Sequence, residues 1–236
     1  MKTILSIDTS LSGCGIALCD GSGLSVSICD DAKYGQSERL IPMVKRLCAD
    51  AGLSFSNIDG ISVTNGPGAF TGIRVGLSTA RALAVALNVP VIGFTTFDVL
   101  YAQFADEYAE NDNVLIVLDT KRNDYFVQLY VGGQAGDSMA LDGEAVKSII
   151  DNYKQGVIIG NAVDKFKVDI VDINDGWEFR SGFSNISPLM LGQLAVNYIE
   201  NSGVEQQYIA INAAPNYLKP ADVSKSKKQY KRFVAD

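Results

Sequence analysis

Two aspartates close matching stretches of this 236-residue chain. ILSIDTS leads to Asp8-Thr9-Ser10, and VLIVLDTKR leads to Asp119-Thr120 with Lys121 and Arg122 behind it. Between them lies NGPGAFTGIRVGLSTAR, Asn65 to Arg81, carrying Gly66, Gly68, Gly72 and Gly76. A carboxylate at a strand end can hold a hydrated hard cation. A glycine-rich turn opening a helix offers free amides at a positive dipole end. Brought together, the three stretches could hold a phosphate tail and its Mg²⁺. Each aspartate has a competing structural use, as an Asx turn satisfying nearby amides. The glycines equally suit close approach of another backbone.

Other chemistries are excluded by residue type. The chain has no histidine, so it can form no HExxH site, no Ser-His-Asp triad and no Cys-His pair. Thr71 stands where a GxGxxG fingerprint needs its third glycine, and no GK[ST] follows any glycine run. Paired-carboxylate acid–base work would need Asp8 and Asp119 to converge, and nothing about them requires sugar chemistry. Cys14, Cys19, Cys29 and Cys48 form no CxxC pair and suit a reducing cytosol. A formal charge of -7 argues against a broad grip on nucleic acid. From Lys219 to Asp236, however, six basic residues face two acidic ones. That tail could touch RNA or an acidic partner, or be a solvated terminus. Only a few apolar residues separate Lys2 from Asp8, and Asn88 and Pro90 break the longest apolar run. No signal peptide or membrane span is expected, and the location expected is cytoplasmic.

The elements that must position these residues follow from periodicity. Residues 3–7, 14–19 and 24–29 predict an antiparallel meander with Asp8 at its first bend. Gln36 to Ala51 has a helical period, with Leu40, Val44 and Leu47 on one face, Ser37 as the cap and Gly52 as the stop. A strand over 58–64 feeds the glycine loop and a helix over 70–87. That helix is apolar nearly all round, which predicts burial on two sides. A strand at 89–93 and a helix capped by Thr95 or Thr96 complete the first half. EYAENDN is the expected boundary, and after it the strand, Asp-Thr, turn, strand pattern repeats, which points to an internal duplication. Helices are predicted over 144–153 and 188–199 and a strand over 157–160, while Lys165 to Trp177 resists assignment. Arg39, Arg74 and Arg81 flank the apolar faces of the two N-terminal helices, as arginines at interfaces do.

IDTS at residues 7–10, SERLIP at 37–42, NGPGAFTGIRVGLSTARAL at 65–83 and NVPVIGFTTFDVL at 88–100 closely resemble the TsaB family. LDTKRNDYFVQLY and PNYLKPADV resemble that family's second-half opening and C-terminal signature. The resemblance implies an α/β actin-like ATPase (ASKHA, ribonuclease H-like) fold of two duplicated subdomains, residues 1–110 and 111–220, with a basic tail over 221–236. It implies a non-catalytic scaffold or activator beside the catalytic paralogue TsaD and the ATPase TsaE. Their product is threonylcarbamoyladenosine in tRNA, next to the anticodon. The alternative is a sugar-kinase-like enzyme or ATPase using Asp8 and Asp119 with Mg²⁺; a peptidase is a third reading, opposed by the missing histidines. Carried over, Asp8, Thr9, Ser10, Gly66, Gly68 and Asp119 correspond to a degenerate nucleotide cleft. The implied interface residues are Arg39, Leu40, Met43, Leu47, Arg74, Leu77, Ser78, Arg81 and Val85. Gln36 stands where relatives often keep a histidine, so no metal site is implied. The resemblance also implies ATP or ADP with Mg²⁺ at or near the partner interface; tRNA is reached through the complex, and the lone protein is expected to homodimerise.

Overall fold

Each aspartate ends the first strand of a hairpin. In a computed structural model describing residues 2–32, 35–108, 113–170, 172–202 and 210–219, β1 (Ile4–Asp8) runs antiparallel to β2 (Cys14–Cys19), with Asp8 opposite Gly15. β3 (Ser25–Asp30) extends the meander. Then come α1 (Gln36–Asp50), β4 (Gly60–Thr64), α2 (Phe70–Leu87), β5 (Val91–Phe94) and α3 (Thr96–Glu107). The second half repeats the order: β6 (Asn113–Asp119), β7 (Asp124–Val131), the short β8 (Gln134–Ala135), β9 (Met139–Asp142), α4 (Gly143–Asp151), β10 (Gly156–Ile159), α5 (Val163–Asp169), β11 (Trp177–Phe179) and α6 (Pro188–Ser202). β12 (Ala210–Ile211) follows. The tail over 221–236 lies outside the described residues, as do residues 110 and 111 at the expected boundary.

The sheets carry the duplication. The first has the order β12-β5-β4-β1-β2-β3 and the second β11-β10-β6-β7-β8, with β9 also on β7. In each, the first strand is antiparallel to its successor and parallel to the strand after the first helix. Asp119 faces Tyr125 at the end of its hairpin, the register place that Asp8 holds in the first.

Alternation along β1 divides the packing. Leu5 and Ile7 join α1 and α2 in one core, while Ile4 faces Ala195 and Val196 of α6 on the other side. The last helix of each half therefore packs on the other half. α3 sends Phe97, Leu100 and Phe104 against Val114, Ile116 and Leu118 of β6. α6 lies over β1 and β2, where the Ser6 hydroxyl donates to the Pro188 carbonyl at 2.5 Å. α6 and β12, expected within the second subdomain, thus lie against the first sheet. This exchange buries apolar surface between the halves and makes their separation costly.

Local differences have local causes. α1 starts from Gly35, in a left-handed conformation, instead of from a Ser37 cap. Thr95 caps α3 and accepts from the Asp98 amide at 3.0 Å. Of the unassigned stretch 165–177, residues 165–169 end α5 and Trp177 starts β11, elements too short to show a period. α2 is buried on one side only: Gly72, Ile73, Gly76, Leu77, Ala80 and Ala84 face inward. Among the described residues, Ala213 and Tyr217 reach Arg81, Arg74 and Phe70 on its outer side, and Val85 is 74% exposed. By length and composition α2 could cross a membrane, yet its inner face belongs to the first core.

Candidate functional site

The three stretches do converge. A cleft of about 330 Å³ between the halves is lined by Ser10 and Leu11, by Pro67 to Phe70 and Ile73, and by Asp119 to Arg122. Phe126, Asn161 and the segment Asn216–Lys219 complete it. Of the expected cleft residues, Ser10, Gly68 and Asp119 line it, whereas Asp8, Thr9 and Gly66 lie behind the wall.

Asp8 is 4% exposed, and its Oδ1 accepts from the Ser10 amide at 3.0 Å, the Ser10 hydroxyl at 2.7 Å and the Thr64 hydroxyl at 2.6 Å. Burial pushes its carboxyl above the usual range, and these hydrogen bonds offset only part of that. It pins the turn after β1 to β4, as an Asx turn does. Thr9 turns inward and donates to the Gly72 carbonyl at 2.6 Å.

That turn explains the glycines. A Cβ on Gly68 would overlap the Ser10 carbonyl oxygen, and one on Gly72 would overlap the Thr9 carbonyl. A Cβ on Gly76 would strike the Thr9 hydroxyl. The Ala69 amide, at the start of α2, donates to the Ser10 carbonyl at 2.7 Å. The loop thus lies against the chain's own backbone, and one helix-start amide is already engaged there.

Asp119 differs. Its Oδ1 accepts from the Lys121 amide at 2.9 Å and the Lys165 ammonium at 3.2 Å, and its Oδ2 takes the Lys121 ammonium at 2.8 Å. Partial burial raises its carboxyl, but Lys121 and Lys165 outweigh that and hold it below the usual range. The Asn161 side chain accepts from the Asp119 amide at 2.9 Å. Lys165 and Asn161 escaped the sequence reading; the polar residues just after the GVIIG strand were the available signal.

The resemblance read from the sequence implies Mg²⁺-nucleotide in such a cleft, and these donors do not fit it. One aspartate is behind the wall with three hydrogen bonds on one oxygen, and the other is paired with two ammonium groups. No three His, Cys, Asp or Glu groups gather as metal ligands among the described residues.

The interface candidates separate by burial. Leu40, Leu47 and Leu77 are at most 2% exposed and belong to the first core. Met43 is half-buried against that core, 3.6 Å from the Cys14 sulfur. Arg39 pairs with Asp30 at 2.8 Å and ties α1 to β3. Arg74, Ser78, Arg81 and Val85 lie on the exposed side of α2. The Ser78 hydroxyl bonds back to the Arg74 carbonyl at 2.6 Å.

Two sheets of matching topology, exchanged last helices and a cleft at the first-strand ends define the class: a duplicated α/β protein of two mixed sheets flanked by helices. The family model for TsaD, tRNA N6-adenosine threonylcarbamoyltransferase, matches residues 30–178. The chain is 34% identical over 128 residues to the tRNA threonylcarbamoyladenosine biosynthesis protein TsaB of Haemophilus influenzae, covering 54% of this chain and 53% of that protein. With TsaB of Escherichia coli the identity is 25% over 188 residues, covering 80% and 78%. The solved structure of YeaZ from Pseudomonas aeruginosa superposes with a TM-score of 0.75 at 25% identity, covering 92% of this chain and all of that one. The alignment thus spans about half the length of the Haemophilus relative and more of the others. The chain belongs to the family of the TsaD model, and the relatives named TsaB are what it is similar to.

Proposed function

We propose that this protein is a non-catalytic scaffold or activator subunit of the complex that forms threonylcarbamoyladenosine in tRNA next to the anticodon, binding a TsaD-like catalytic paralogue. The observation that carries this reading is the state of the cleft. Asp8 holds a turn and Asp119 holds two lysines, so neither is left to assist turnover. The relatives named TsaB supply the pathway. The surface that supports docking is the outer side of α2, where Arg74, Ser78, Arg81 and Val85 lie beside the exposed Phe70. Arginine beside exposed apolar surface suits an interface. A TsaE-like ATPase completes the complex, tRNA is reached through it, the lone protein pairs with itself through the same surface, and the whole works in the cytoplasm.

Reconstitution tests the reading. The purified protein is combined with TsaD, TsaE, ATP, bicarbonate, threonine and tRNA, and product is measured with and without it. Product that forms only in its presence supports the scaffold. ATP turnover by the isolated protein, abolished in Asp8→Ala, would overturn it. Val85→Glu should alter unfolding free energy by less than about 0.5 kcal/mol, because the site is exposed. It should weaken association with TsaD by roughly tenfold or more. Unchanged sedimentation of the mixed complex would reject α2 as the docking surface.

A further inference from the structure

After β12 the chain does not leave the molecule; it crosses the cleft. The Asn65 side-chain amide donates to the Asn212 carbonyl at 2.8 Å, and the Arg81 guanidinium donates to the Ala213 carbonyl. Ala213 is buried in the first core. The Asn216 amide donates to the Asn65 carbonyl at 2.8 Å, at the foot of the glycine loop. Tyr217 lies on Phe70 with ring centroids 5.1 Å apart, and its hydroxyl accepts from Arg74 Nε at 2.8 Å. The same guanidinium sits 3.7 Å from the Phe70 ring centroid. Leu218 then packs on the core shared by α3 and β6, and Lys219 pairs with Asp124 of β7. Within eight residues the segment has passed from the first sheet, over the start of α2, to the second sheet.

We propose that residues 212–219 form a releasable latch, which closes the mouth of the cleft and pins α2 of the first half to β7 of the second. Its two ends differ in the way a latch requires. Asn212 and Ala213 are anchored beside β5 by a buried residue and two side-chain donors. Tyr217 and Lys219 are held by a stack and an ion pair that water reaches, since Tyr217 is exposed and the ion pair is only partly covered. Contacts of this kind open well before the whole fold does. Lifting the outer end uncovers Gly68 to Phe70 on one wall and Asp119 to Arg122 on the other, all of which line the same cleft. The latch holds Phe70, Arg74 and Arg81, which also belong to the docking surface proposed above, and it is tested on the protein alone.

Hydrogen exchange on the full chain reads it directly. The Asn216 amide should be protected in the wild type. Lys219→Glu, which sets two carboxylates together, should speed its exchange about fivefold, the equivalent of roughly 1 kcal/mol for a partly covered pair. Peptides covering 67–73 and 119–126 should gain exchange in the same variant. Lys219→Glu combined with Asp124→Lys should restore protection to both strap and walls. Tyr217→Ala breaks the other contact and should give the same pattern, which keeps the test open if the charge variant folds poorly. Faster exchange confined to the strap, with both walls unchanged, would show a passenger segment and overturn the latch. So would an Asn216 amide that exchanges freely in the wild type.

Discussion

Gly72→Ala asks what the glycine loop is for. In an exposed helix the change stabilises by about 1 kcal/mol, because alanine loses less backbone freedom than glycine. If Gly72 served only to bare amides for an anion, the unliganded variant should gain that amount. The structure predicts the opposite sign. A Cβ at Gly72 overlaps the Thr9 carbonyl oxygen, a backbone atom fixed by the end of β1, which has no flexible end to move aside. Overpacking against such a neighbour costs about 1–3 kcal/mol. Moving the turn away also breaks the buried hydrogen bond from the Thr9 hydroxyl to the Gly72 carbonyl, 2.6 Å long, worth about 1 kcal/mol. Set against the helix gain, the net effect is a loss of about 1–3 kcal/mol. For a chain this long that lowers the melting temperature by roughly 3–10 °C. Thermal unfolding followed by circular dichroism, with exposed Ser78→Ala on the same helix as control, measures it. A Gly72→Ala variant that melts at or above the wild-type temperature would refute the close-approach account of the loop.

Two further outcomes follow from the packing and the charges. Phe104 of α3 is buried in the core between the halves, so Phe104→Ala should destabilise by about 3–5 kcal/mol; denaturant titration should still show one transition, and separate unfolding of the halves would contradict the exchanged-helix packing. Asp119 is held below its ordinary value of 3.8 by Lys121 and Lys165 against the effect of burial. Its contribution is therefore present above that value and lost as pH falls through the lower folded-state value, because the unfolded chain takes up the proton first. Asp119→Asn should remove on the order of 1 kcal/mol near neutrality after solvent screening, and the gap from wild type should close below pH about 3.8. A gap of constant size across that range would mean the lysines do not hold the carboxylate.

Much of the architecture is written in short-range signals. Ile4–Asp8 and Asn113–Asp119 announce themselves as matching first strands because β-branched runs and Asp-Thr turns act within a few residues. Gly52 marks the stop of α1, whereas its start at Gly35 is not the Ser37 cap that the sequence predicts. The resemblance carried by the glycine loop then names the fold, which periodicity alone did not. What the helices face was not legible in the same way. On α2, Leu77 and Val85 have similar chemistry and lie in one helix, yet Leu77 is core and Val85 is bare.

The sequence alone determined the two hairpins, the glycine loop, the long apolar helix and the duplication, since each depends on residues that are neighbours along the chain. Only the tertiary structure decided that Asp8 holds a turn while Asp119 holds lysines, that α3 and α6 exchange halves, and that residues 212–219 cross the cleft. Lys165 meets Asp119, and Asn216 meets Asn65, across long stretches of chain. Whether a carboxylate binds a cation, a hydroxyl or a lysine is set by what packing brings to it, and packing pairs residues whose separation in sequence carries no period to read.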